Sequence, residues 1–209
     1  MHALAPASLT PRKRPRQARS AATLEAIFEA TIQVLLADGM RALTTTRVAE
    51  RAGVSVGTMY QYFPHKQSLI YALNERYLEM LAEKVEATCR AQTGRPVGEM
   101  LEALIDTYWR VKTERADVTR ALYRSVVEMD NEALVDEFAR RVDGATTAML
   151  ESAPDATFPD LQTVNLTLAT VIFGAIRNAF ERNLSPPVID ALQAELSAMC
   201  RAYVELARR

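Results

Sequence analysis

Histidine is nearly missing from this 209-residue chain: only His2 and His65 occur, and cysteine is as scarce, with Cys89 and Cys200 alone. No Glu-x-x-His or Cys-x-x-Cys spacing accompanies them. A zinc site, a carboxylate-bridged iron bundle and a disulfide framework are therefore not expected, and no metal or cofactor is called for. The two thiols fit a reducing, cytoplasmic setting. Seven glycines and nine prolines are too few for a sandwich or barrel that turns every few residues. The longest charge-free run, Leu161–Ile176, is short for a membrane span and contains Gln162, Asn165 and three threonines, so it reads as a buried helix. The N-terminus lacks the apolar core of a secretory signal.

What is present is helix-forming. Ala, Leu, Glu, Arg and Met dominate, 49% of residues are hydrophobic and 24% charged, and an all-α globular chain is the expectation. Leu24, Ile27, Phe28, Thr31 and Leu35 repeat at helical spacing, with Ser20 as a start and Gly39 as a left-handed stop. Thr44, Thr45 and Thr46 offer cap hydroxyls for a short helix ending near Ala52, Gly53 breaks it, and a second short helix runs from about Val56 to Phe63 before Pro64. Longer helices follow over about 66–91, 97–113, 116–129, 131–152, 160–182 and 187–207, giving about nine in all.

Net charge is only −1, but it is unevenly spread. Residues 1–66 hold nine Lys/Arg against four acids, and the remainder is acidic. A basic N-terminal third on an acidic body is the pattern of a chain that meets a polyanion at one end. Residues 1–18, with Arg12, Lys13, Arg14 and Arg16 among Pro6, Pro11 and Pro15, read as a basic arm. Such an arm either follows phosphates or only solubilises the chain.

The informative stretch is Thr44 to Lys66, TTTRVAERAGVSVGTMYQYFPHK. Two short helices joined at a glycine form a helix-turn-helix, with Ala49 small enough for a close crossing and Gly53 free to take positive φ. Val48, Ala52, Val54, Met59 and Phe63 supply the apolar face. The opposite face of the second helix carries Ser55, Val56, Gly57, Thr58, Gln61 and Tyr62 and no acid, as a phosphate-lined groove requires. Gln61 suits a base edge, Thr58 a base or phosphate, Val56 a thymine methyl, and Gly57 a close approach of backbone. Tyr60 and Tyr62 offer hydroxyls to phosphates, and Lys66 places a charge at a helix N-terminus.

The run from Gly39 to Leu69, GMRALTTTRVAERAGVSVGTMYQYFPHKQSL, resembles the DNA-binding domain of the TetR family of bacterial transcriptional regulators. The resemblance covers the first third of the chain. It implies an N-terminal three-helix domain over about 19–66, a larger helical effector-binding and dimerisation domain over 67–209, and a homodimer. It also implies a repressor of a near-palindromic double-stranded operator, released by a small molecule. By position, Thr45 matches a phosphate-contacting cap, Thr46 and Arg47 the exposed start of that helix, and Lys66 the phosphate anchor. Val56, Gly57, Thr58, Tyr60, Gln61 and Tyr62 match the recognition helix.

Beyond Leu69 less is legible. Tyr108, Trp109, Tyr123, Phe138, Met149, Phe173 and Arg177 are candidates for a ligand pocket, though aromatic and Met residues at helical spacing equally fill plain core. Val164, Leu168, Val171 and Ala175, with Leu192, Leu196, Met199 and Tyr203 on the last helix, are expected to build a four-helix interface with a second copy. Two other readings stay open: a helical protein-interaction adaptor without specific DNA binding, and a helical-bundle enzyme. The second is expected to lack a histidine-centred base, a metal set, a glycine-rich phosphate loop and a nucleophile elbow, and no catalytic residue is nominated.

Overall fold

A computed structural model describes residues 18–126 and 131–209. Among them are nine helices and no strand: α1 (Ala18–Ala42), α2 (Thr45–Ala52), α3 (Val56–Tyr62), α4 (Lys66–Gln92), α5 (Val97–Glu114), α6 (Ala116–Val126), α7 (Glu132–Glu151), α8 (Leu161–Glu181) and α9 (Pro186–Ala207). The all-helical expectation holds, and so does the helix count. The basic arm lies outside the described residues except for Ala18, and the expected end of α6 beyond Val126 lies outside them too.

The chain divides into two compact units. The first takes in the described residues up to Leu78 together with those of Asp117–Val135, and the second holds Glu79–Ala116 and Asp136–Arg209. The first unit therefore runs past the 66/67 boundary expected from the sequence. It includes the first half of α4, because Leu69, Ile70 and Leu73 are buried in the same core as Val48 and Met59. It also includes α6, whose Val118 and Leu122 enter that core from far along the chain.

The first core is built on the α1 stripe. Ile27, Phe28, Thr31, Val34 and Leu35 face inward, and Thr31 Oγ1 returns its proton to the Ile27 carbonyl at 2.7 Å, so a buried hydroxyl is satisfied. Gly39, at φ 74°, kinks the end of α1 where the sequence placed a stop. Glu25 pairs with Arg76 of α4, whose guanidinium also lies 5.3 Å from the Phe28 ring centre.

In the second unit α5 packs on α8 and α9, and α8 on α9. Val164, Leu168, Ile172 and Ile176 line the buried side of α8, opposite Ile189, Leu196, Cys200 and Val204 of α9. Both Ser20–Ala42 and Leu161–Glu181 are long and apolar enough to cross a membrane by length and composition, but each turns an apolar stripe into its own unit's interior. Arg141 of α7 grips Glu86 of α4 with two hydrogen bonds of 2.8 and 2.9 Å, and that contact holds the Glu86 carboxyl below its ordinary range.

This arrangement corrects part of the expected dimer face. Val164, Leu168 and Leu196 are interior to a single subunit, because the 3.6-residue period puts them on the stripe shared with Ile172 and Cys200. Val171, Ala175, Leu192 and Tyr203 are half-buried, and Met199 is exposed. On α8 and α9 the large apolar residues that remain outward are Leu166, Val188, Met199 and Leu206, the last 87% exposed.

Candidate nucleic-acid interface

The turn between α2 and α3 is set by two caps. Thr44 Oγ1 accepts from the Arg47 N–H at 3.2 Å and starts α2. At the other end Gly53 adopts φ 67°, its N–H donating to the Glu50 carbonyl while the Val54 N–H donates to Ala49. This paired closure needs a left-handed residue, which is why a glycine stands there. Ser55 then caps α3, accepting from the Thr58 N–H at 3.0 Å and sharing a 2.8 Å hydrogen bond with the Thr58 hydroxyl. Val48, Ala49, Met59 and Phe63 are fully buried at the crossing, with Ala52 and Val54 packed beside them.

These caps fix which side of α3 faces out. Val56, Gly57, Tyr60 and Gln61 are exposed, Tyr60 by 45%, and Thr58 is half-buried. Val56 and Tyr60, like Gly57 and Gln61, are four apart and so share a face. Ser55, Thr46 and Arg47 are exposed beside them. No residue of α3 is acidic; Glu50, on α2, is the one acid between Thr44 and Lys66.

Two residues expected on this surface are elsewhere. Tyr62 is 4% exposed and its ring lies 6.3 Å from that of Phe63. It follows Met59 by three residues and falls on the inward stripe. Thr45 is buried as well, since the cap is Thr44 and the next residue already points to the core. Arg47 is exposed, but its guanidinium is engaged by Asp38 at 2.9 Å and by the Ala42 carbonyl at 3.3 Å.

His65, read from the sequence as a loop residue, is half-buried and caps α4. Its Nδ1 accepts from the Ser68 N–H at 3.1 Å, and the Ser68 hydroxyl donates to its carbonyl at 2.7 Å. Histidine is not among the favoured capping residues, so no propensity rule pointed to it. The cap orients Lys66, the first residue of α4. Against the expectation that no nucleophile elbow is present, the string Gly53–Val54–Ser55–Val56–Gly57 spells the nucleophile-turn pattern of hydrolases. Here Ser55 follows a helix and not a strand, and its hydroxyl is spent on capping. Among the described residues no three His, Cys, Asp or Glu side chains gather as a metal site.

The candidate pocket residues separate. Tyr123 belongs to the first unit. Arg177 is exposed and pairs with Glu181 at 2.7 Å, so it does not face an interior pocket. Met149 is buried in the second unit and borders a recess of about 400 Å³ lined also by Glu86, Arg90 and Arg141. Tyr108, Phe173 and Phe138 do come together, with ring centres 4.4 and 5.8 Å apart along the row. Trp109 is buried next to Tyr108 in sequence, and its Nε1 has no hydrogen-bond partner among the described residues. Lys112, missed by sequence reading, is 2% exposed with its Nζ 5.4 Å from the Tyr108 ring centre.

Comparison with known proteins agrees with this geometry. A family model described as bacterial regulatory proteins, tetR family, matches residues 27–73, and one described as tetracyclin repressor-like, C-terminal domain, matches residues 96–203. The nucleoid occlusion factor SlmA of Actinobacillus pleuropneumoniae is 31% identical over 107 residues, 51% of this chain and 52% of that protein. The HTH-type transcriptional repressor KstR of Mycolicibacterium smegmatis is 30% identical over 131 residues, 61% of this chain and 63% of that one. The chain thus spans between about half and two thirds of the length of these relatives. A TetR-family transcriptional regulator of Streptomyces coelicolor, known by crystal structure, superposes with a TM-score of 0.63 at 26% identity, covering 88% of this chain and 99% of that one.

Proposed function

The chain belongs to the tetR family of bacterial regulatory proteins, since the two family models together match most of its length, and on that premise we propose that it is a DNA-binding transcriptional repressor. The observation that carries the reading is the outward face of α3: Val56, Gly57, Tyr60 and Gln61 form a narrow, acid-free, partly apolar surface on a rigid helix-turn-helix. In this reading α3 enters the major groove. Gln61 reads a base edge and Val56 a thymine methyl, while Tyr60, Thr58 and the α4 N-terminus with Lys66 hold phosphates. Thr46 and Arg47 flank the backbone from α2. Repression is brought to this chain by its likeness to KstR, a repressor by name.

The protein acts as a cytoplasmic homodimer. The apolar stripe of Val188, Met199 and Leu206 on α9, with Leu166 on α8, supports a self-association surface, since such residues otherwise stay wet. Two copies of α3 then read successive major grooves about 34–36 Å apart on a near-palindrome. A small-molecule effector bound in the second unit releases the DNA.

The test is fluorescence anisotropy with duplex DNA spanning the promoter of the protein's own gene. Tyr60→Phe should weaken binding about threefold to tenfold, the worth of one hydrogen bond. Lys66→Ala should weaken it uniformly across sequences and lower the slope of log affinity against log salt by about one. Wild-type binding no stronger to promoter than to random duplex would favour the adaptor reading.

A further inference from the structure

Within the second unit, α7 and α8 leave a recess of about 460 Å³ whose polar lining is Asp143, Thr147 and Glu151 from α7 and Gln162 and Asn165 from α8. No lysine, arginine or histidine lines it. The basic residues just before it on α7 are committed elsewhere, Arg140 to Glu137 and Arg141 to Glu86. The side chains of Asp143, Thr147, Glu151 and Gln162 make no hydrogen bond or ion pair among the described residues. Burial alone lifts the Asp143 carboxyl above its ordinary range, with no neighbouring cation to lower it. Asn165 adds an independent sign. It is only 4% exposed, and its Nδ2 donates to the Asp143 carbonyl at 3.4 Å, while its Oδ1 has no partner among the described residues. A buried acceptor on the wall of a recess is thus left for a donor from outside. Glu151 is the last residue of α7, where the helix dipole is already negative, and the last turn holds no basic residue.

From this arrangement we propose that the recess binds a linear aliphatic diamine or polyamine, one ammonium received by Asp143 and Asn165, another by Glu151, and the chain laid past Thr147 and Gln162. Asp143 and Glu151 stand two helical turns apart, about 12 Å along the axis. A single metal ion cannot touch both, and no three His, Cys, Asp or Glu side chains gather as a metal site among the described residues. A chain with a charge at each end can reach both. An ammonium carries three donors and no acceptor, which suits a carboxylate beside a free amide oxygen. Leu166 completes the rim; in the dimer reading a second copy covers it, and none of the polar groups depends on it. The inference concerns the second unit alone and stands apart from DNA binding.

The test is isothermal titration calorimetry of the full-length protein at fixed salt. The probes are diaminooctane and diaminobutane, each with its amines at the chain ends, together with octylamine and magnesium chloride. Diaminooctane, whose extended chain spans the two carboxylates, should saturate one site per chain. It should bind at least about tenfold tighter than the shorter diamine of equal charge and than the monoamine. Asp143→Asn and Glu151→Gln should each weaken it about tenfold or more, the worth of a charge-assisted hydrogen bond. Glu195→Gln, which removes the same charge from an exposed position on α9, should leave binding unchanged. No saturable binding, or diaminobutane, octylamine or magnesium as tight as diaminooctane, overturns the proposal on the wild type alone. Equal weakening by Glu195→Gln overturns it too, since the attraction is then diffuse. Circular dichroism checks that each variant keeps wild-type helicity; Glu151 is exposed, so Glu151→Gln decides if Asp143→Asn disturbs the fold.

Discussion

A methyl group added at Gly57 would meet nothing nearer than Ser55 Oγ at 3.8 Å, and the backbone there is ordinary helix. Nothing inside the fold asks for glycine, and glycine in a helix interior costs about 1 kcal/mol relative to alanine, less in a first turn such as this one. On the proposed reading, the operator comes close to the backbone at this residue. Gly57→Ala should therefore raise the thermal midpoint slightly while operator affinity falls tenfold or more; unchanged affinity would remove the close approach from the mechanism. Gly53 is the opposite case, since its φ of 67° is demanded by the turn itself. Lys112 offers a second test at this scale. Its amine is held near 7 in the fold but keeps its proton to about 10.5 when unfolded. Between these values the unfolded chain binds the extra proton, so stability rises with pH; below about 7 both states are protonated and the penalty is constant. Urea unfolding from pH 7 to 8.5 should show stability climbing by up to about 1.4 kcal/mol per pH unit in the wild type and no such climb in Lys112→Met. The window stops there because burial raises the Cys89 thiol from 9.0 to about 11, which acts in the opposite sense at higher pH.

Among elements, the helices were legible because period and breakers agree: Gly39, Gly53 and Pro64 all act where the sequence placed them. What periodicity does not specify is which core an apolar stripe enters. Val118 and Leu122 make α6 amphipathic in either unit, and only the fold reveals that they join Leu69 and Met59. The same ambiguity misassigned Val164, Leu168 and Leu196 to a subunit interface, and put Tyr62 outward when its place three residues after Met59 turns it in. A buried lysine carries no signal at all, since lysine in a helical pattern is ordinarily solvated. The docking of α6 has a measurable consequence. Leu122→Ala should cost about 2–4 kcal/mol, and native-state hydrogen exchange should locate the loss in α1, α3 and the start of α4, leaving α8 and α9 protected as before. Loss of protection spread evenly over all helices would mean that the two compact units open as one.

At the scale of the whole molecule, the proposed dimer depends on a surface that one subunit leaves uncovered. Val188, Met199 and Leu206 recur on one side of α9, and the residues between them that face inward, Leu196, Cys200 and Val204, are already buried against the same subunit. The outward stripe is thus surplus to the monomer's core, and on the proposed reading a second copy of the chain covers it. Because each copy turns one outward apolar stripe of α9 to solvent, a two-fold pairing that sets stripe against stripe would close on itself and leave no open end. Charge on the stripe should break that pairing without harming the subunit. Met199→Asp with Leu206→Asp should sediment as a monomer with wild-type helicity, because both side chains are exposed, by 51% and 87%. Leu196→Asp, at 3% exposure, should instead unfold the second unit. In the double variant each α3 meets DNA alone, so the gain from linking two half-sites disappears and operator affinity should drop by about a hundredfold or more. A double variant that sediments and binds like the wild type would show that the stripe is not what joins the subunits.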